Sequence, residues 1–168
     1  GGADPQGWAT KNAVKALLAR VYLYKEDWQK AADYASEIIA SGDYTLYDTT
    51  TYTTWDNGGA WGSDAGSGVI SYIMSPDGYA DIGASHDVYN LYEDGDVRKG
   101  LFTNAPDYPD ALWSLKYPGK SGNLREDNIP VLRLGEMYLI RAEAILHGAS
   151  VNGVTALDDY NALREPLG

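Results

Sequence analysis

The sequence contains no cysteine, and this absence excludes several kinds of site at once. Without thiols the chain can form neither a disulfide framework nor a thiolate metal site, and it has no cysteine nucleophile. Histidine is nearly as scarce, since His86 and His147 are the only two and lie far apart in sequence. We therefore expect no metal centre and no cofactor.

Basic residues are also in short supply. Thirteen Lys and Arg stand against 24 Asp and Glu, which gives a formal net charge of -11. Such a chain repels the phosphates of nucleic acids and the headgroups of anionic lipids, so we expect neither as a direct partner. No apolar run approaches the roughly 20 residues that a membrane-spanning helix needs.

Phenylalanine occurs once, whereas tyrosine occurs 14 times and tryptophan five times. Tyr and Trp combine an apolar face with a hydrogen-bonding group, which suits half-hydrated surfaces. Sugars offer such a ring an apolar C–H face with hydroxyls at its rim. Any single ring more often belongs to the core, because large aromatic side chains dominate core energetics.

Two helices are predicted near the start of the chain. Thr10 is a suitable cap for a helix over 11–25, and Asp27 for a second over 28–41. Gly42 follows at the position where a left-handed residue commonly ends a helix. So short a turn makes the two helices antiparallel. The residues near the packing positions of a tetratricopeptide-like hairpin are Leu18, Ala19, Tyr22, Ala31 and Ala35.

A second helical hairpin is predicted near the end. Its first helix covers 130–147, with Pro130 in the first turn, Asn128 as a possible cap and Gly148 as the stop. Its second helix covers 155–164. The helices flank a loop-rich insert, so the predicted fold is mainly α with three parts: 8–42, 43–128 and 129–166.

The insert is predicted to carry little regular structure. Strands are expected at 69–74 and 111–117, the second with Trp113 on its buried face. Ser85 is a suitable cap for a short helix whose inward side would hold Val88, Leu91 and Tyr92. The polar stretch 49–68 is long for a structureless loop in a compact domain, and such loops are often functional.

This loop supplies the candidate ligand-binding residues. Tryptophan rings give stacking surface and neighbouring Asp or Asn side chains can bind sugar hydroxyls. The alternative is that the tryptophans merely cover the helical core. Tyr79 and Trp113 are weaker candidates. The candidate binding residues are Tyr52, Trp55, Asp56, Asn57 and Trp61.

The charged residues outside this loop favour structural roles. Arg133 and Glu136 are three apart on the predicted helix and can pair. An acid–base pair is the alternative, but buried charges need partners in any case. Asp96 is expected to cap a turn with Arg98 paired nearby. A calcium loop near Asp96 is less favoured, since it would need more oxygen ligands in register.

Four segments resemble the SusD-like (RagB/SusD) family. Residues 9–46 resemble its helical hairpin with a Ser-Gly-x-Tyr-x-Leu exit, and 91–102 (LYEDGDVRKGLF) resemble its Gly-Asp-x-Arg segment. Residues 128–148 (NIPVLRLGEMYLIRAEAILHG) match its Arg-Leu-x-Glu-Met-Tyr-Leu-Ile-Arg-Ala-Glu-Ala helix, and YNALRE resembles the segment that follows. Family members are longer, so the chain is either part of a longer protein or a short variant.

The resemblance implies a function without catalysis. Members bind glycans at the bacterial cell surface and deliver them to a SusC-like TonB-dependent transporter of the outer membrane. A lipid anchor, absent from this chain, would be the only tie to the membrane. A neutral oligosaccharide is the expected ligand, since a strongly acidic chain disfavours acidic glycans. The alternatives are a helical-hairpin adaptor that binds only protein, and a glycoside hydrolase, for which no catalytic motif is present.

Overall fold

A computed structural model describes residues 9–46, 59–63, 81–115 and 129–167 of the chain. Helices dominate and the strands are few and short, which confirms the predicted mainly α fold. The elements are α1 (Lys11–Tyr24), α2 (Trp28–Ser41), β1 (Gly59–Ser63), α3 (His86–Asn90), a 3₁₀ helix (Val97–Leu101), β2 (Phe102–Ala105), β3 (Tyr108–Ser114), β4 (Ile129–Arg133), α4 (Leu134–Leu146), α5 (Ala156–Arg164) and a 3₁₀ turn (Glu165–Leu167).

The chain divides into two compact units. The helical unit contains α1, α2, α4 and α5 with most of β1 and β4, and the hairpin unit contains α3, β2 and β3. The strands form two separate two-stranded sheets among the described residues, β1 with β4 and β2 with β3. The three-part domain division and the tetratricopeptide-like arrangement stay predictions.

The first two helices begin and end as predicted. The Thr10 hydroxyl accepts a hydrogen bond from the Ala13 amide at 3.1 Å, and the Asp27 carboxylate accepts one from the Lys30 amide. Each bond satisfies one of the amides that a helix start leaves without an internal partner. Gly42 closes α2 with a φ of 70°, a left-handed conformation that costs glycine little.

The core of the helical unit is a seam of alanines. The buried residues of α1 are all alanines, and so are three of the four in α2. Small side chains let two helix axes approach closely, because the distance between helices depends on the side chains at the contact. Ile38 and Met137 fill the space where α2 packs against α4. The seam consists of Ala13, Ala16, Ala19, Ala31, Ala32 and Ala35, each at most 3% exposed.

The predicted helix over 130–147 is wrong in its first turn. Its initial residues form β4, and the helix begins only at Leu134, with Arg133 as its N-cap residue. Val131 is exposed and Leu132 is fully buried, which is the alternation of a strand. Apolar residues continue from the strand into the helix, so periodicity alone could not separate them. Asn128, the proposed cap, lies outside the described residues.

The second helical pair otherwise follows the prediction. Gly148, with a φ of 99°, ends α4 after His147, whose ring stacks on Trp28 at 4.2 Å between centroids. At the start of α5, Thr155 and Asp158 form a reciprocal capping box. The Thr155 hydroxyl and amide both donate to the Asp158 carboxylate, and these bonds lower its pKa below the usual range.

A buried ion pair joins α4 to α5. Arg141 donates two parallel hydrogen bonds to Asp159, from Nε at 2.8 Å and from Nη2 at 2.6 Å, and both side chains are buried. Its Nη1 also lies 3.4 Å from the Ser36 hydroxyl of α2. Three helices therefore meet at one guanidinium group, whose planar fork matches a carboxylate in this two-bonded geometry.

The predicted partner of Glu136 was wrong. Glu136 binds Arg20 of α1, with Oε1 2.5 Å from Nε and Oε2 2.6 Å from Nη2. The same guanidinium donates to the Val131 carbonyl at 2.8 Å, and the hydrogen bond to Glu136 raises the pKa of Arg20. Arg133 lies in β4 rather than on the helix, so the three-residue helical spacing assumed for the pair does not apply.

The hairpin unit departs from the prediction in two ways. Strand β3 begins three residues before the predicted segment 111–117, and Tyr117 and the predicted strand 69–74 lie outside the described residues. Ser85 does cap α3, accepting a bond from the Asp87 amide at 3.1 Å. The predicted inward face is wrong, however, because Val88 is exposed and Leu91 is 81% exposed. A helix of five residues is too short for its apolar spacing to define a buried face.

Rings and charges pack together beside α3. Tyr89 and Tyr92 both contact the Phe102 ring, at 5.5 and 5.7 Å between centroids. Arg98 lies over the Tyr92 ring and, as predicted, pairs with Asp96, which caps the 3₁₀ helix through the Arg98 amide. This small cluster fixes the segment that resembles the Gly-Asp-x-Arg motif.

The alanine seam leads to a test of packing. Replacing Ala19 with Leu should destabilise the chain by about 1–3 kcal/mol, because a fully buried position has no room for a larger side chain. Ala40 lies on α2 but is exposed, so Ala40→Leu is the matched control and should change stability little. The measurement is urea unfolding followed by helical circular dichroism. Equal midpoints for both variants would contradict the assigned packing.

Candidate functional site

Of the five ligand-binding residues predicted from the sequence, only Trp61 lies within the described part of the chain. Tyr52, Trp55, Asp56 and Asn57 lie outside the described residues, as does the weaker candidate Tyr79. Trp61 lies in β1, where the strand is described but its side chains are not. The binding role of this loop stays a prediction. The described residues that are best suited to form a binding site lie in the β2–β3 hairpin.

The β2–β3 hairpin contains a large bulge. Its strands are antiparallel, with Thr103 opposite Trp113 and Ala105 opposite Tyr108. Between these two pairs β2 advances by two residues and β3 by five, so β3 accommodates three extra residues. Bulges bend a strand, increase its twist and can redirect a side chain. Here the bulge brings Tyr108 and Trp113, five residues apart, onto one side.

Asn104 fills the bulge with its side chain. Its Nδ2 donates hydrogen bonds to the Pro109 carbonyl at 2.9 Å and to the Ala111 carbonyl at 3.0 Å. An amide nitrogen carries two N–H groups, so one side chain can satisfy both carbonyl groups that the irregular ladder leaves available. The bulge is therefore a defined geometry rather than a slack turn.

Two aromatic rings meet at this bulge with very different exposure. Tyr108 is 64% exposed, whereas Trp113 is 6% exposed and buried as its strand position predicted. Their centroids lie 6.2 Å apart with an interplanar angle of 72°, an edge-to-face contact favoured by the charge distribution of aromatic rings. Sequence reasoning missed Tyr108, although an aromatic residue in the polar segment Asp-Tyr-Pro-Asp was a usable signal.

Polar groups flank the exposed ring. Asp107 and Asp110 are both exposed and lie one residue before and two residues after Tyr108. The His86 ring, through Nε2, lies 2.7 Å from the Asp110 carbonyl oxygen and so ties the start of α3 to β3. The arrangement can offer a stacking face with hydrogen-bond acceptors beside it.

The helical unit has an open depression of about 440 Å³, lined by α2 and the α4–α5 connection. Its polar groups already have partners: Asp33 accepts from Gln29, and Glu37 pairs with Lys15 at 2.5 Å. Gln29 also exchanges two hydrogen bonds with the backbone of Ser150. The described lining residues include no aromatic ring, so the depression is a poorer sugar site than the hairpin.

Two features are absent from the described ranges. No group of three or more His, Asp or Glu side chains there is arranged to hold a metal ion. No helix in those ranges has the length and apolar character required to cross a membrane.

The backbone closely matches known structures. A SusD superfamily protein from Bacteroides vulgatus aligns with all of this chain at 28% identity and a TM-score of 0.82, and one from Bacteroides thetaiotaomicron aligns with 95% at 26% and 0.72. The chain is SusD-like. Surface glycan-binding protein A from Bacteroides thetaiotaomicron, in complex with laminarihexaose, shares the fold at 20% identity, 99% coverage and a TM-score of 0.75.

These matches cover less than half of each known structure. The SusD-like chain spans 43%, 41% and 49% of the three proteins, respectively. Neither a scan against protein-family models nor a search of curated proteins finds a match. The resemblance to SusD-like proteins predicted from the sequence is confirmed by the structural matches.

The Asn104 contacts give a test of how the hairpin is held. Asn104→Asp keeps the side-chain shape but removes both N–H donors, and should destabilise the hairpin by about 0.5–3 kcal/mol, since it sets a carboxylate against two carbonyl oxygens. Hydrogen exchange should accelerate at the Leu115 and Ala84 amides, which bond to Leu101 and Leu112. Protection in α2 is the internal control. Unchanged exchange at both amides would contradict the proposed role of Asn104.

Proposed function

We propose that this chain belongs to a non-catalytic protein that captures a neutral oligosaccharide at the bacterial cell surface. The captured glycan is then delivered to a SusC-like TonB-dependent transporter in the outer membrane, where a lipid anchor holds the binding protein. The observation that carries the proposal is the structural match over the whole chain to a SusD superfamily protein, at 28% identity.

A neutral glycan is favoured by three observations. One protein of the same fold is in complex with laminarihexaose, a neutral oligosaccharide. The net charge of -11 disfavours ligands that carry carboxylates or sulfates. The abundance of Tyr and Trp supplies rings that combine a stacking face with a hydrogen-bonding group.

Several described carboxylates are held in their ionised form by hydrogen-bonding partners. A glycoside hydrolase needs a carboxylic acid whose pKa is raised so that it can donate a proton. Within the described residues, the carboxylates whose pKa is clearly shifted are all lowered: Asp27 by Lys30, Asp94 by Lys99 and Asp158 by Thr155. The buried Asp96 and Asp159 each bind an arginine.

The proposal is tested by calorimetry with neutral glucans, mannans and xylans on the full chain. We expect dissociation constants between about micromolar and millimolar, because an open site buries little of a flexible ligand. Trp55→Ala and Trp61→Ala should weaken binding and leave the helical circular dichroism unchanged. Binding that neither substitution weakens would exclude the 49–68 loop as the site, and absence of any glycan binding would contradict the proposed function.

A second candidate function is a helical adaptor that binds only protein, and α1 favours it. Four of its apolar residues are exposed on one face, at spacings of three, four and three residues: Val14, Leu17, Val21 and Tyr24. Exposed apolar patches commonly mark protein-binding surfaces. An adaptor would retain the transporter in a pull-down while binding no sugar.

The adaptor candidate makes its own prediction. Replacing Leu17 and Val21 together with Ser should abolish retention of the transporter while unfolding midpoints change little, because both side chains are exposed. Leu157→Ser, at an exposed position of α5, is the matched control and should retain the transporter. Retention by the double variant at the wild-type level would exclude the α1 face as the interface.

A further inference from the structure

We propose that Tyr108 is a stacking platform for one sugar ring, and that Asp107 and Asp110 beside it restrict the ligand to uncharged glycans. This inference rests on the proposed function and names a subsite for it. It assigns binding surface to the β2–β3 hairpin, in addition to the 49–68 loop predicted from the sequence.

The first argument is that the face of Tyr108 is available. The other described tyrosines of the hairpin unit, Tyr89 and Tyr92, are half-buried and pack on Phe102, with Lys99 and Arg98 over their rings. Tyr108 is 64% exposed, and its contact with Trp113 is edge-to-face. Such a contact supports the ring without stacking a second ring upon it.

The second argument is that the ring is held before any ligand arrives. The Asn104 amide fixes the bulged backbone of β3 at Pro109 and Ala111, and the buried Trp113 limits the positions that the Tyr108 ring can take. A side chain already fixed in its binding position loses less conformational entropy on binding. By contrast, Tyr24 is 82% exposed on α1 and has no ring contact among the described residues.

The third argument concerns the class of ligand. A tyrosine face fits a pyranose whose equatorial hydroxyls leave a flat C–H surface, as in β-linked glucans. Ionised carboxylates accept hydrogen bonds and cannot donate them, so Asp107 and Asp110 can bind sugar hydroxyls. The same two carboxylates repel the carboxylate of a uronic acid, and like charges brought together are costly. Neutral glycans are therefore selected over acidic ones.

The stacking role is tested by calorimetry on the full chain with laminarihexaose. Tyr108→Ala should weaken binding about two- to tenfold, the range expected for losing one aromatic contact. Tyr108→Phe keeps the ring and should bind almost as tightly as the wild type. Tyr108→Leu still covers Trp113 but has no ring, so it should lose affinity even if Tyr108→Ala perturbs the fold. Tyr160→Ala, at a 53% exposed position of α5, is the matched control and should bind normally.

The charge selection is tested with an oligogalacturonate in the same assay. Wild type should bind it at least tenfold more weakly than laminarihexaose, and Asp107→Asn with Asp110→Asn should reduce that difference. Equal wild-type affinities for the two ligands would overturn the selection. If Tyr108→Ala and Tyr108→Leu bind laminarihexaose as tightly as the wild type does, the stacking role is overturned and the proposed function still stands. No binding to any glycan would contradict both.

Discussion

Close approach of helix backbones is the constraint on which the helical unit depends. Alanines at the contact between α1 and α2 allow the two helices to meet with almost no side chain between them. Larger apolar side chains are buried where α2 and α4 pack together, Ile38 on α2 and Met137 on α4. Within the helical unit, each helix after the first is thus positioned by contact with an earlier one.

Charged groups set the orientation that apolar packing leaves open. Arg141 and Arg20 each use two parallel hydrogen bonds. Arg141 joins the consecutive helices α4 and α5, whereas Arg20 joins α1 to α4, 116 residues further along the chain. Removing such charges from water is costly, and the gain from pairing often only balances that cost. Their contribution is therefore to fix orientation, since a guanidinium group donates two parallel hydrogen bonds to a carboxylate only when both groups lie in one plane. Alanines bring the helices together and the arginines fix how they are turned.

The sequence predicted well wherever the deciding interaction was local. Thr10, Asp27 and Ser85 cap helices through contacts within three residues, so their roles could be predicted directly. Prediction failed where the partner was remote. Glu136 binds an arginine 116 residues away, and Leu132 enters a strand because β1 pairs with it. Tyr108 escaped notice because its exposure follows from a bulge, which depends on the register of two strands.

The long connection between α2 and β4 has a consequence for how such proteins change over time. It contains 87 residues, from Gly42 to Asn128, yet α2 packs against α4, the helix that directly follows β4. The entropy cost of closing a flexible loop grows only with the logarithm of its length, about 0.6 kcal/mol for each doubling. Insertions and deletions in the connections between the elements of this segment therefore cost the helical unit little stability. Chain length can change there while the helices keep their sequence and their packing.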